Sequence, residues 1–151
     1  MKIRLKSLRI ASILGICLLH PIAYADFDKG VVASENKDYP TAFKEFTESA
    51  NQGDAKSQFA LGLMYYFGEF VHKNAEEAIK WYRLAADQGD AFAQNDLGVM
   101  YAKGEGVPQN AKEAVKWYRL AADQGNAFAQ ANLGVMYAKG QGIPKNAKEA
   151  V

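Results

Sequence analysis

The feature that most constrains this chain is a repeat with a period of 36 residues. Asp54–Gly89 lies on Asp90–Gly125 without a gap, and the run Lys80–Gly89 recurs unchanged as Lys116–Gly125. A third copy starts at Asn126 and runs to Val151, short of a full period. A degenerate copy precedes the first: Ala42-Phe43-Lys44 and Ala50-Asn51-Gln52-Gly53 align with Ala78-Ile79-Lys80 and Ala86-Asp87-Gln88-Gly89. Self-similarity at this period means like units that cannot bury an apolar face alone and do so by stacking. The chain therefore divides into a leader at 1–25, a degenerate N-terminal helix pair at 26–53, two full repeats at 54–89 and 90–125, and an incomplete third at 126–151.

Each copy reads as two helices. Asp54, Asp90 and Asn126 stand where an N-cap belongs, each just after a glycine that ends the preceding helix. Asn74–Glu77, Asn110–Glu113 and Asn146–Glu149 have the spacing of a capping box at the start of the second helix. Gly89 and Gly125 fit the position after a helix, where a left-handed conformation suits glycine. In the second helix Ala114, Trp117, Tyr118, Ala121 and Ala122 form an apolar stripe at helical spacing. Gly62, Gly98 and Gly134 recur inside the first helix, where each costs about 1 kcal/mol relative to alanine. Close approach of a neighbouring helix backbone is the expected reason. The pattern predicts helices over 27–36, 40–52, 55–67, 75–88, 91–103, 111–124 and 127–139, with no strands. Phe70 and His72 take the places of Gly106 and Pro108, so the loop of the first full repeat is predicted to have another shape.

The first 25 residues have a different character. Lys2, Arg4, Lys6 and Arg9 form a basic segment, Ile10–Leu19 an apolar one, and Ala23-Tyr24-Ala25 a cleavage motif before Asp26. This is the layout of a secretory signal peptide. The apolar run is shorter than the roughly 20 residues that span a bilayer. The only cysteine, Cys17, lies in it after Ile16, where a lipoprotein signal has a small residue. The predicted product is exported to the periplasm or secreted, has no disulfide and no later membrane span, and carries 14 Lys and Arg against 17 Asp and Glu. That balance speaks against nucleic acid as a partner.

The string Ala91-x-x-Gln94-x-x-Leu97-Gly98-x-Met100-Tyr101-x-x-Gly104-x-Gly106-Val107, followed by Ala114-x-x-Trp117-Tyr118-x-x-Ala121-Ala122-x-Gln124-Gly125, resembles the Sel-one-like repeat, a relative of the tetratricopeptide repeats. The match covers Asp54–Val151 well and Asp26–Gly53 loosely. It implies an all-α, right-handed superhelical solenoid of antiparallel helix pairs that serves as an adaptor or scaffold. In exported bacterial members it implies roles in periplasmic signalling, envelope function or host interaction. Some exported relatives carry a disulfide in each repeat and are associated with penicillin binding or β-lactamase activity. Those cysteines are absent here.

Little in the sequence points to chemistry. Ser34-Glu35-Asn36-Lys37 has the Ser-x-x-Lys form of penicillin-recognising enzymes, but neither the Ser-Asp-Asn nor the Lys-Thr-Gly partner motif occurs. His72 is the only histidine after the leader, too few for a zinc site of three or four ligands. Glu76 and Glu77 read as a solvated helix start. Gly104-Glu105-Gly106 follows no strand and is not a phosphate loop. Trp81 and Trp117 lie on the repeated apolar stripe and read as core. No cofactor is expected. The leading function is a scaffold that binds a partner protein or peptide. The alternatives are a cell-wall-related hydrolase of β-lactamase type, for which no catalytic set is found, and a truncated structural fragment.

Comparing the copies locates a candidate surface. In the first helix, residues 55, 58, 61, 62, 64 and 65 are the same in all three copies, whereas 56, 59, 60, 63, 66 and 67 change. At about 100° per residue the changing set spans an arc of roughly 120°. Stacking demands constancy, so the changing face is the one freed from it. In the tetratricopeptide-like superhelix that face would line the concave groove. Its residues are Lys56, Phe59, Ala60, Leu63, Tyr66 and Phe67, then Phe92, Asn95, Asp96, Val99, Ala102 and Lys103, then Phe128, Asn132, Val135 and Lys139. So apolar a face marks a partner site, with Asn95, Asp96 and Lys103 setting register. Alternatively, Phe59 and Phe67 pack on the degenerate N-terminal pair. Leu133, Met136 and Tyr137 would lack part of their cover in the incomplete third repeat, which predicts easier opening there or self-association through an uncapped C-terminus.

Overall fold

The computed structural model describes residues 20–142. Among them are seven helices and no strand: α1 His20–Glu35, α2 Tyr39–Asn51, α3 Ala55–Phe67, α4 Ala75–Asp87, α5 Ala91–Lys103, α6 Ala111–Asp123 and α7 Ala127–Lys139. Every predicted helix is present, and the boundaries agree to a residue except that α1 begins at His20. The basic and apolar parts of the leader, Cys17 included, lie outside the described residues, as does the Asn146–Glu149 cap.

The caps explain where the helices start. Asp54, Asp90 and Asn126 accept the backbone N–H groups of Ser57, Ala93 and Ala129. Asn74 accepts from Glu76 and Glu77, and Asn110 from Lys112 and Glu113. Each bond satisfies a donor that a helix leaves orphaned. The reciprocal half of the capping box does not form. Glu77 pairs with Lys80 and Glu113 with Lys116, each one turn along the same helix in solvent.

The interior glycines also differ from expectation. A Cβ on Gly62 would sit 2.4 Å from the Tyr82 ring, and one on Gly98 2.5 Å from the Tyr118 ring. An aromatic side chain of the following helix, not its backbone, fills the space each glycine leaves. Around these contacts the core runs as three adjoining clusters, centred on Phe46 and Leu61, on Tyr82 and Leu97, and on Tyr118 and Met136. Packing is mainly between consecutive helices, with a smaller contact between α5 and α7.

A glutamine ladder links the repeats. Gln58 Nε2 donates to Ala50 O at 3.1 Å, and Gln58 Oε1 accepts from Gln88 Nε2 at 2.7 Å. Gln94 repeats this with Ala86 O at 3.1 Å and Gln124 Nε2 at 2.7 Å. These invariant polar residues are buried and paired, as burial requires.

The loop of the first repeat keeps the shape of the others, contrary to the prediction. Phe70 adopts φ 66, beside 71 for Gly106 and 73 for Gly142. Asn74 N donates to Tyr65 O at 2.9 Å, as Asn110 N does to Tyr101 O. A left-handed backbone costs a bulky residue energy. The Phe70 ring packs 5.6 Å from Phe43, which offsets part of that cost.

Candidate protein-binding face

The constant positions of the first helices point into the stack: Gln58, Leu61, Gly62 and Met64 are buried, and so are Gln94, Leu97, Gly98 and Met100. Along the opposite arc the first helices meet side by side. Phe59 is half-buried, with its ring 5.7 Å from Tyr82 and 6.1 Å from Phe92. It therefore packs forward onto the second repeat. Phe67 stands edge-on to Tyr66 at 5.1 Å and is exposed. Neither ring stacks on the N-terminal pair. Ala60 does pack there, and the Lys56 ammonium lies 5.7 Å over Phe27 of α1.

Leu63, Tyr66 and Phe67 of α3 face Asp96, Val99 and Met100 of α5 across a pocket of about 130 Å³, with Tyr82 of α4 as part of its lining. Asn95 is buried. Its Nδ2 donates to Asp96 Oδ1 at 3.0 Å, and its Oδ1 accepts from Asn132 Nδ2 at 3.1 Å, which ties α5 to α7. Asn95 thus supports the face from beneath. Ala102 is half-buried, and Lys103 Nζ lies 3.9 Å from Glu105. Four large apolar side chains of the set stand open to solvent: Phe67 at 64%, Phe92 at 58%, Phe128 at 69% and Val135 at 49%. Lys139 is exposed at the end of α7, away from the pocket.

Three contributors lie outside the predicted set: Glu105, Tyr82 and Met100. Tyr66 OH donates to Glu105 Oε2 at 2.8 Å, so the loop of the second repeat closes over the first. Tyr82 is invariant between copies and was legible only as core, yet it lines the pocket as well. Burial holds the Asp96 carboxyl above the usual carboxylate range, and the Asn95 hydrogen bond opposes that shift. The hydrogen bond to Glu105, with burial behind it, raises the Tyr66 phenol. Burial pushes Tyr118 up to about 12.

Away from this face, Ser34 and Lys37 sit where α1 ends. Lys37 is in a left-handed turn, with its N–H donating to Ser34 O at 2.9 Å. His72 is exposed on the loop beside Phe70. Trp117 is core, and Trp81 is half-buried against the N-terminal cluster. Among the described residues no three His, Cys, Asp or Glu side chains are placed to share a metal ion, and no helix is long and apolar enough to cross a membrane.

The Sel1 repeat model matches residues 55–90, 91–126 and 127–151. The chain belongs to the Sel1 repeat family. A protective antigen of uropathogenic Escherichia coli with an SLR fold is 37% identical, with a TM-score of 0.83 over 85% of this chain and 28% of that one. A Sel1 repeat protein from Oxalobacter formigenes is 38% identical, with a TM-score of 0.81 over 85% of this chain and 54% of that one. The chain thus spans about a quarter to a half of the length of these two relatives. Helicobacter pylori cysteine-rich protein B shares the fold at 22% identity and a TM-score of 0.62, over 74% of this chain and 91% of that one. No curated protein sequence matches the chain. Sel1 repeat solenoids are generally protein-interaction scaffolds.

Proposed function

We propose that this Sel1 repeat protein is an exported scaffold that binds a partner protein or peptide along the concave groove formed by α3, α5 and α7. The observation that carries the proposal is the exposure of Phe67, Phe92, Phe128 and Val135 on positions that vary between repeats. Apolar surface of that extent on adjoining helices marks an interaction site, and solenoids bind through such extended faces. The segment bound is extended or helical and anchored by the aromatic side chains. Export rests on the leader, and mass spectrometry of protein from the envelope fraction is expected to find Asp26 as the first residue. The test of the groove is Tyr66→Ala and Phe92→Ala, singly and together, against a partner captured by crosslinking in the exported compartment. Truncating an aromatic anchor costs about 2 kcal/mol of binding. Variants that melt normally yet keep full affinity would place the site elsewhere.

A further inference from the structure

The pocket between α3 and α5 has a lining unlike the rest of the face. Leu63, Val99 and Met100 are aliphatic, Tyr66, Phe67 and Tyr82 are aromatic, and Asp96 brings the one carboxylate of the lining. Its volume is about 130 Å³. That is below the roughly 300 Å³ at which small-molecule and cofactor sites begin, and it is on the scale of one side chain.

The charge decides which side chain. Asp96 is half-buried and receives a single hydrogen bond, from Asn95. Among the described residues no cation pairs with it. Lys103 is turned to Glu105, and the Lys73 ammonium lies 5.4 Å over the Tyr66 ring. An apolar occupant would strip the remaining water from this carboxylate and give nothing back, which is costly. An acidic occupant would meet both Asp96 and, at the Tyr66 hydroxyl, Glu105. A flexible chain of methylenes ending in an ammonium suits the aliphatic walls and the acid together. Asn95 already donates to Asp96 Oδ1, so the carboxylate has one oxygen free of a partner, which suits the single point charge of lysine better than the two-pronged head of arginine.

We infer that this pocket is a socket for one lysine side chain of the partner, with the stem between Leu63 and Val99 and the ammonium on Asp96. The inference rests on the groove reading above and gives it a register. The equivalent place between α5 and α7 has Ala102, Lys103 and Asn132 where the first has Tyr66, Phe67 and Asp96. It therefore lacks the acid and the aromatic wall, and carries a lysine of its own. The socket occurs once along these three helices, so one lysine fixes where an extended segment lies.

The test titrates the full chain with two capped pentapeptides of glycine, one with lysine and one with norleucine at the centre. The methyl carbon resonances of Leu63, Val99 and Met100 report binding. The lysine peptide is expected to shift them and to bind about tenfold more tightly than the norleucine peptide, the contribution of one charge-assisted hydrogen bond. Asp96→Asn is expected to remove that preference, and Asn132 at the same place in the third repeat indicates that the fold accepts it. Equal binding of the two peptides, no methyl shift with either, or a preference that survives Asp96→Asn in a variant with normal melting would overturn the socket. With a crosslinked partner, affinity lost in Phe92→Ala but kept in Asp96→Asn would overturn the socket and leave the groove standing. Affinity kept in both, and in Tyr66→Ala, would overturn the groove itself.

Discussion

Asp96 carries a cost that its neighbours define. Its carboxyl is held above the ordinary range chiefly by burial, and the titratable groups around it are Asp90 at the N-cap of its own helix and the neutral phenols of Tyr66, Tyr82 and Tyr118 on α3, α4 and α6. A raised carboxyl means that the folded state binds the proton more readily than the unfolded chain. Stability from this group is full below the ordinary carboxylate range and is lost as pH rises through the folded value. Asp96→Asn removes the titration and keeps the acceptor for Asn95. Urea unfolding is therefore expected to show the variant gaining on the parent between acid and neutral pH, with the parent at its relative best at the acid end. A difference that stays constant with pH would mean that Asp96 titrates alike in both states.

At the scale of the helix, the reading from sequence succeeded where one residue type has one physical use. Asp54, Asp90 and Asn126 can satisfy orphan N–H groups only at a helix start, and they do so. It failed where the outcome depends on what lies opposite. Gly98 revealed a close approach, but whether backbone or the Tyr118 ring arrives is a property of the neighbouring helix. Phe70 signalled a different loop, but its stacking on Phe43 is a tertiary contact. The candidate face was legible as a set of varying positions; its sorting into exposed Phe92 and buried Asn95 was not, because both lie on the same arc of α5. The same dependence on neighbours separates α7 from α5. Leu61 and Leu97 are 1% and 0% exposed, whereas Leu133, at the equivalent place in α7, is only partly buried. Hydrogen exchange on a proven monomer is expected to show lower protection for 127–139 than for 91–103, since opening a less covered helix exposes less apolar surface. Equal protection would contradict this, and protection of 127–139 that rises with protein concentration would identify a second copy as its cover.

For the whole molecule, the decisive fact is that packing passes mainly from each helix to the next. In such a stack, stability is close to a sum of repeat and interface contributions, and damage need not spread evenly. Two tryptophans report on different parts: Trp81 packs against the N-terminal cluster, and Trp117 is buried in the central one. Leu97 is fully buried in that central cluster, and Leu97→Ala is expected to cost about 3–5 kcal/mol. In backgrounds carrying Trp81→Phe or Trp117→Phe, so that one indole remains, urea unfolding of the parent is expected to give one midpoint. With Leu97→Ala added, the Trp117 signal should move to lower urea than the Trp81 signal, because α1–α4 keep their own cluster around Phe46 and Leu61. A common shift of both signals would instead mean that the stack unfolds as one unit. The distinction bears on binding. A face assembled from α3, α5 and α7 exists only while consecutive repeats are docked, so a partner gripping the Leu63–Asp96 pocket and Phe128 together would have to restore the common midpoint that Leu97→Ala removes.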